Sequence, residues 1–333
     1  MTTSPRRIEM RSNNIRLEVL STGAAVRGLV VTGPDGSETD VVLGHRDVEA
    51  YAAVGGYFGV VVGRVANRID GGRFSLDDVE YVVPTNDRGH ALHGGPDGYD
   101  LREWDVESTG PEAVTLSLTS PDGDQGFPGE LRVSVTYTVS PGEVAIDYVA
   151  TTTRATVVNL TNHAYFNLDG EGRGTIDDHL LQVHADATTP VRPDMIPTGE
   201  VAPVDGTPFD LRRPRRLSDV LAEPSEQLGH AGGLDHNFVL SGSGLRPAAR
   251  LTGRSGLGLE VLTDRPGLQV YSGAYFDGSV VGPSGVRYTE RAGIALETQG
   301  FPDAPNHPHF PSVVLRPGET FSSRTVWRLG HNG

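Results

Sequence analysis

The chain has 333 residues, no cysteine and a formal net charge of −15, and all 28 of its basic residues are arginine. The missing cysteine excludes disulfides, thiolate nucleophiles and thiolate metal sites. The acidic balance disfavours nucleic acid, which is held largely through Lys/Arg contacts to phosphate, and it disfavours anionic membranes. A neutral small molecule suits this surface better.

Residues 1–14 are polar and include Arg6, Arg7 and Arg11, and no apolar stretch follows that fits a signal-peptide core. No run reaches the ~18 apolar residues of a membrane span, so a soluble, cytoplasmic protein is expected. Short β-type runs recur at 15–20, 60–65, 79–83 and 114–118. Between 131 and 148, Leu131, Val133, Val135, Tyr137 and Val139 alternate with polar residues, and Val144, Ile146 and Tyr148 resume the alternation after Pro141-Gly142. Pro then Gly at the two central positions suits a type II turn, so this stretch predicts a hairpin. Further runs lie at 180–183, 257–262 and 268–271. Helical periodicity is confined to 48–53 and to Leu217, Val220 and Leu221. Glycines (43) and prolines (23) are spread evenly, and nothing reads as a linker. The expectation is a single all-β domain over 1–333, a large antiparallel β-sandwich. The basic cluster Arg212, Arg213, Arg215 and Arg216 reads as a solvated face.

Four segments are dense in polar, aromatic and glycine residues: 63–69 with 92–95, 159–168, 232–238, and 295–299 leading into 302–308. Glu297 ends the small apolar run Gly293-Ile294-Ala295-Leu296, which reads as a buried strand. A carboxylate there must be hydrogen-bonded or functional, because burying an unpaired charge is expensive. His163 lies between asparagines and aromatics and reads equally as a satisfied core histidine. A metal site needs three or four converging N/O ligands. His90 with His93, His307 with His309, and Asp235-His236 are the candidates, but His90 and His307 fall in stretches that look like exposed loops. Asp235 and Glu297 also suit the paired carboxylates of a glycosidase. No Gly-x-Ser-x-Gly elbow appears. A lysine-bearing phosphate loop is impossible without lysine.

Together these segments resemble the aldose 1-epimerase (galactose mutarotase) family. The residues that carry the resemblance are Gly-Arg-x-Ala-Asn-Arg-Ile at 63–69, Leu-His-Gly-Gly at 92–95, Pro-Asp-Gly-Asp-Gln-Gly-Phe-Pro-Gly at 121–129 and Asn-Leu-Thr-Asn-His-x-Tyr-Phe-Asn-Leu at 159–168. Further along come Asp-His-Asn-Phe at 235–238, Val-Tyr-Ser-Gly at 270–273, Leu-Glu-Thr-Gln at 296–299 and Pro-Asp-Ala-Pro-Asn-His-Pro at 302–308. Ala164 stands where Ser is common, and Ser272 where Thr is common. The resemblance implies a twisted antiparallel sandwich, an open sugar cleft, and neither metal nor organic cofactor. It implies Glu297 as general base and His163 as general acid on a free monosaccharide. Arg68, His93 and Asp235 would bind the sugar, with Asn67 assisting and Gln269 near C1. A histidine near its ordinary pKa would supply the acid's proton. Phe276 and Tyr165 fit the sugar or the core equally, and Arg64 reads as a structural ion-pair partner. The rival functions are a hexose-6-phosphate epimerase, which would need arginines placed for the phosphate, and a non-catalytic sugar binder on the same scaffold. Oligomeric state has no signature in the sequence.

Overall fold

The structure, a computed structural model, describes residues 4–331. Its largest element is a nine-stranded sheet in which the predicted hairpin is central. Leu131–Ser140 and Glu143–Thr152 pair antiparallel in unbroken register from Leu131↔Thr152 to Ser140↔Glu143. Each strand presents its alternating apolar set inward, Leu131 to Val139 on one and Val144 to Ala150 on the other. Gly142 has φ +74°, the left-handed value that the second central position of a type II turn requires. Phe321–His331 adds to the hairpin's outer strand, and Leu257–Thr263 adds to that in turn.

A second, six-stranded sheet carries the order Tyr165–Phe166, Ile294–Gln299, Gly267–Tyr271, Asp235–Leu240, Ala185–Thr189, Ala202–Pro203. The two sheets share one apolar core. Ile294, Leu296, Leu268, Val270 and Phe238 of the six-stranded sheet meet Leu259, Val261, Ile146 and Trp327 of the nine-stranded one. Phe166 sets its ring edge-on to Trp327 at 5.1 Å, and Thr298 Oγ1 meets Thr325 Oγ1 at 2.5 Å. Because side chains alternate along a strand, the partners of these residues point the other way. Glu297, Gln269 and Asp235 therefore lie on the sheet face opposite the shared core.

Most predicted strands form, and their ends move by a residue or two. The run at 60–65 is the exception: only Val61–Val62 is extended, paired with Thr161–Asn162, and the chain then turns to present Arg64 and Arg68 in different directions. Helices occur at Ala50–Ala53 and Leu217–Leu221 as expected. A third, Glu226–Ala231, lies outside the predicted elements although its capping signals are present. Ser225 accepts a hydrogen bond from the Leu228 amide, and Gly232 closes the helix at φ +68°. No helix among the described residues is long and apolar enough to cross a membrane.

Candidate active site

The cavity of interest, about 380 Å³, opens on that polar face of the six-stranded sheet. Its floor is buried: Glu297 is 2% exposed and His163 is 4% exposed. Glu297 is fixed by its strand, paired opposite Gln269. His163 is fixed by its backbone, which donates to Val60 O at 2.9 Å and accepts from the Gly59 amide at 3.0 Å. Asn162, next to it, donates to Gly59 O at 2.6 Å and accepts from the Ala164 amide. His163 Nε2 lies 3.5 Å from Glu297 Oε1.

The asparagines of this motif are pins. Asn159 bonds both backbone groups of Gly300, and Asn167 donates to Ala292 O. Both ends of the Glu297 strand are thereby tied to the segment that carries His163.

Arg68 and His93 arrive on a second small pairing, Arg68–Ile69 with Ala91–Leu92. Arg68 Nε donates to Asp87 at 2.8 Å, and its Nη1 lies 3.9 Å from Asp235. Asp303 holds the strand in place: its amide donates to Arg68 O, and its carboxylate accepts from the Asp70 amide. A Cβ on Gly94 would sit 2.0 Å from Gly63 O, so glycine is required for the His93 loop to approach this closely. Asn67 lines the cavity, and its Oδ1 accepts from the Arg68 amide. Gln269 is absent from the cavity wall. It sits behind Asp235 and donates to Oδ1 at 2.6 Å.

Burial sets the electrostatics. It pushes the Glu297 carboxyl well above the usual carboxylate range, with Asp235 adding to the rise and Arg68 opposing it. Burial also pulls His163 down to about 4. Burial thus opposes the charged ring that a histidine near its ordinary pKa would carry: Tyr57, Tyr165 and His93 box it at 4.8–5.6 Å. His93 is pulled well below its ordinary value, first by burial and then by His163 and Arg68.

His93, His163 and Glu297 bring ligand-type atoms within 4.8 Å of one another, a set that in outline resembles a two-histidine, one-carboxylate metal site. The hydrogen bonding points elsewhere. The Asn67 amide donates to His93 Nδ1 at 3.1 Å, so the neutral ring carries its proton on Nε2 and offers a donor there, not a metal-binding lone pair. The metal candidates read from the sequence do not gather. His90 is buried, contrary to the exposed loop expected, and sits between Asp70 and Asp194. His236 alternates away from Asp235 and packs on Phe209 in the core.

Arg64 is structural, but not as an ion-pair partner. Its terminal nitrogens donate to the carbonyls of Pro128 and Gly129 at 2.9 Å and to the Ser120 hydroxyl at 2.6 Å. This accounts for the 121–129 motif, which folds as the cradle of that guanidinium. Three of the cluster's four arginines are matched by acids: Arg212 meets Asp205 and Asp210, Arg215 meets Glu223, and Arg216 meets Asp178.

Tyr165 and Phe276 both line the cavity, as do Tyr57, Asp87, Arg88, Tyr271 and Tyr275, which the sequence did not single out. Four lining residues, Tyr57, Asn67, Arg88 and His93, are among the twelve described non-glycine residues with positive φ. Such strain concentrates where function demands a particular backbone path.

The family model for aldose 1-epimerase matches residues 6–328. A galactose mutarotase from Bos taurus is 45% identical over 325 residues, covering 96% of this chain and 92% of the bovine one. The aldose 1-epimerase of Escherichia coli (strain K12) is 37% identical over 336 residues, covering 98% and 95%. The crystal structure of a GalM/aldose epimerase homologue from C. elegans superposes with a TM-score of 0.92 at 31% identity, covering 99% of this chain and 100% of that one. A β-sandwich with a buried carboxylate facing a buried histidine thus coincides with likeness along nearly the whole chain, and the chain belongs to the aldose 1-epimerase family.

Proposed function

We propose that this protein is a mutarotase that interconverts the α and β anomers of free aldohexoses such as glucose and galactose. The observation that carries the proposal is Glu297 Oε1 facing His163 Nε2 at 3.5 Å on the floor of a cavity of monosaccharide size. Mutarotation needs one group to take the proton of the C1 hydroxyl and another to protonate the ring oxygen. Both oxygens are bonded to C1, so the two groups must be close neighbours.

Glu297 takes the proton from O1, the C1–O5 bond breaks as C1 becomes a carbonyl, and His163 gives a proton to O5. Rotation about C1–C2 and closure on the other carbonyl face reverse both transfers, and the enzyme returns to its starting state. Positioned acids and bases contribute about 10²–10⁴-fold each. The two residues share a single proton throughout. In the empty cavity burial favours the neutral pair, protonated Glu297 with neutral His163. The incoming sugar supplies hydroxyl donors to the carboxylate, and a carboxylate beside an imidazolium is stabilised by their attraction. Binding therefore moves the proton to His163 and arms the pair. Arg68 and His93 Nε2–H serve as donors to ring hydroxyls, Asp235 serves as acceptor, and the free Nδ2 of Asn67 assists. Gln269 acts through Asp235.

Polarimetry on freshly dissolved α-D-glucose and α-D-galactose tests the reading. Faster decay to the equilibrium rotation is expected with one sugar or both. No acceleration with either would sink it and leave a non-catalytic sugar binder as the better account.

A further inference from the structure

Backbone hydrogen bonds place His163 but do not orient its ring. Among the described residues no protein group bonds Nδ1, which is buried, and Nε2 stands 3.5 Å from Glu297 Oε1, beyond the usual hydrogen-bond range. A histidine that moves protons is ordinarily oriented by a partner on its second nitrogen. Here the task falls to packing. Tyr165 lies tilted against the ring at 4.8 Å, His93 meets it edge-on at 5.2 Å, and Tyr57 stacks on it at 5.6 Å with the planes 29° apart. Tyr57 also leans on His93 at 4.6 Å. Tyr165 and His93 are buried, whereas Tyr57 is partly exposed and lines the cavity, so it forms the outer wall of this box.

Tyr57 holds that place against the preference of its own backbone. It has φ +59°, between Gly56 at φ +92° and Gly59 at φ +69°. A bulky side chain in the left-handed region is a rare outlier, and glycine would occupy the same position without cost. Strain of this kind persists where the side chain serves a purpose. Phe58, next in the chain, is buried against Tyr165, Phe276 and Tyr288 and anchors the segment from which Tyr57 turns to the histidines.

We propose that Tyr57 is a positioning residue for the proton transfer: its ring holds the His163 imidazole toward Glu297 and closes the pair off from solvent on the cavity side. This rests on the mutarotase reading of that pair. The ring does the work, and the hydroxyl is dispensable. Closing off solvent also protects the single shared proton. The doubly protonated pair carries a net positive charge and the fully deprotonated pair a net negative one, and low solvent access penalises both. The other titratable or charged groups facing the pair are His93, Arg68, Asp235 and Tyr165, and none of them changes when Tyr57 is replaced.

The test is polarimetry on glucose and galactose across pH, with the spontaneous rate subtracted, in the wild type, Tyr57→Gly, Tyr57→Asn and Tyr57→Phe. Glycine and asparagine both accept a left-handed backbone, so each removes the ring without adding strain, and asparagine guards against a loop merely loosened by glycine. Both should lower kcat by about 10–10²-fold with a smaller change in KM, as expected when a reacting group loses its alignment. Their kcat should also hold over a narrower pH range. The acid limb moves up and the alkaline limb down, each by about one pH unit, because solvent now supports both charged states. Tyr57→Phe should recover most of kcat and the full width. The inference alone is overturned if wild type turns sugar over but the ring-less variants keep their kcat, lose only KM, or lose kcat with both limbs unmoved. It is equally overturned if both fail to fold by thermal melting, which would make Tyr57 a residue of the fold, or if Tyr57→Phe is as impaired as they are, which would give the role to the hydroxyl. Absence of glucose and galactose turnover in the wild type takes down both this inference and the reading beneath it.

Discussion

Arg64 and Arg68 stand four residues apart in one motif, both are buried, and they serve opposite ends. Arg64 sits in a cradle of carbonyls and hydroxyls that meets both its terminal nitrogens, and Phe127 lies 5.5 Å from its guanidinium carbon. Arg68 opens on a cavity where partners are left over. Glu297 Oε2 and His163 Nδ1 are buried without a hydrogen-bond partner. Burial by itself therefore says little about role. A buried charge whose terminal nitrogens are spent on backbone carbonyls holds the fold together, whereas buried polar atoms that converge on a cavity with partners left over are placed for a ligand.

The largest effect expected from breaking this contrast falls on the cavity side. Glu297→Gln should lower kcat by about 10²–10⁴-fold while leaving sugar binding largely in place. The fold should gain stability from the same change. Burial holds the folded-state pKa of Glu297 above its ordinary value of 4.5, so its contribution is fully present below pH 4.5 and is lost as pH rises toward the raised value. Glutamine has no such dependence. The melting temperature of Glu297→Gln should therefore exceed that of wild type by a margin that grows above pH 4.5. A margin that shrinks with pH would show that the empty cavity holds the carboxylate comfortably. A near-normal kcat would remove Glu297 from the base role.

Arg64→Met should do the reverse. The carbonyls of Pro128 and Gly129 lose their donor inside the protein, at a cost of about 3–5 kcal/mol in urea unfolding. Enzyme that remains folded should keep its KM and kcat. A KM change in the folded fraction would mean that the cradle also positions Arg68, and the two roles would no longer separate.

Gln269 falls between the two. It touches no cavity surface but donates to Asp235, itself raised by burial against the pull of Arg68 and this hydrogen bond. Gln269→Leu should raise KM by about tenfold, the worth of one hydrogen bond to a charged group, with a smaller change in kcat. The opposite split, kcat falling at constant KM, would place Gln269 on the reacting atoms.

Much of the scaffold was legible because it obeys one local rule. The 131–152 hairpin alternates without exception around a Pro-Gly turn, and its register followed. The cavity obeys no period. Glu297 could be singled out because a carboxylate closing an apolar strand is locally inconsistent, and inconsistency of that kind marks function. His163, Arg68 and His93 came from motif likeness, since their burial depends on segments brought together from across the chain. Tyr57, Arg88 and Tyr275 lie in turns where exposure and φ are decided by tertiary contacts, so nothing nearby in sequence distinguished them. The burial that lowers His163 is hidden from the sequence for the same reason: its box of rings is assembled from residues 57, 93 and 165. Arg64 shows the limit from the other side, because the motif that contains it does not say whether its chemistry is catalytic or architectural.

The smallest effect is expected at the arginine cluster, which reads in the sequence as a solvated face and which the fold supplies with acids. Arg212 is shared among Asp186, Asp205 and Asp210, and Arg216 meets Asp178. None of these arginines lines the cavity. A phosphate would have to compete with carboxylates already in place, and a bidentate guanidinium can serve only one partner well. Arg212→Ala and Arg216→Ala should therefore leave kcat/KM for glucose unchanged, and should neither create nor abolish turnover of glucose 6-phosphate. Loss of activity toward glucose 6-phosphate in either variant, with glucose unaffected, would reverse the assignment. It would mean that the acids around these arginines yield to a phosphate, and that the substrate reaches well beyond the cavity that holds Glu297 and His163.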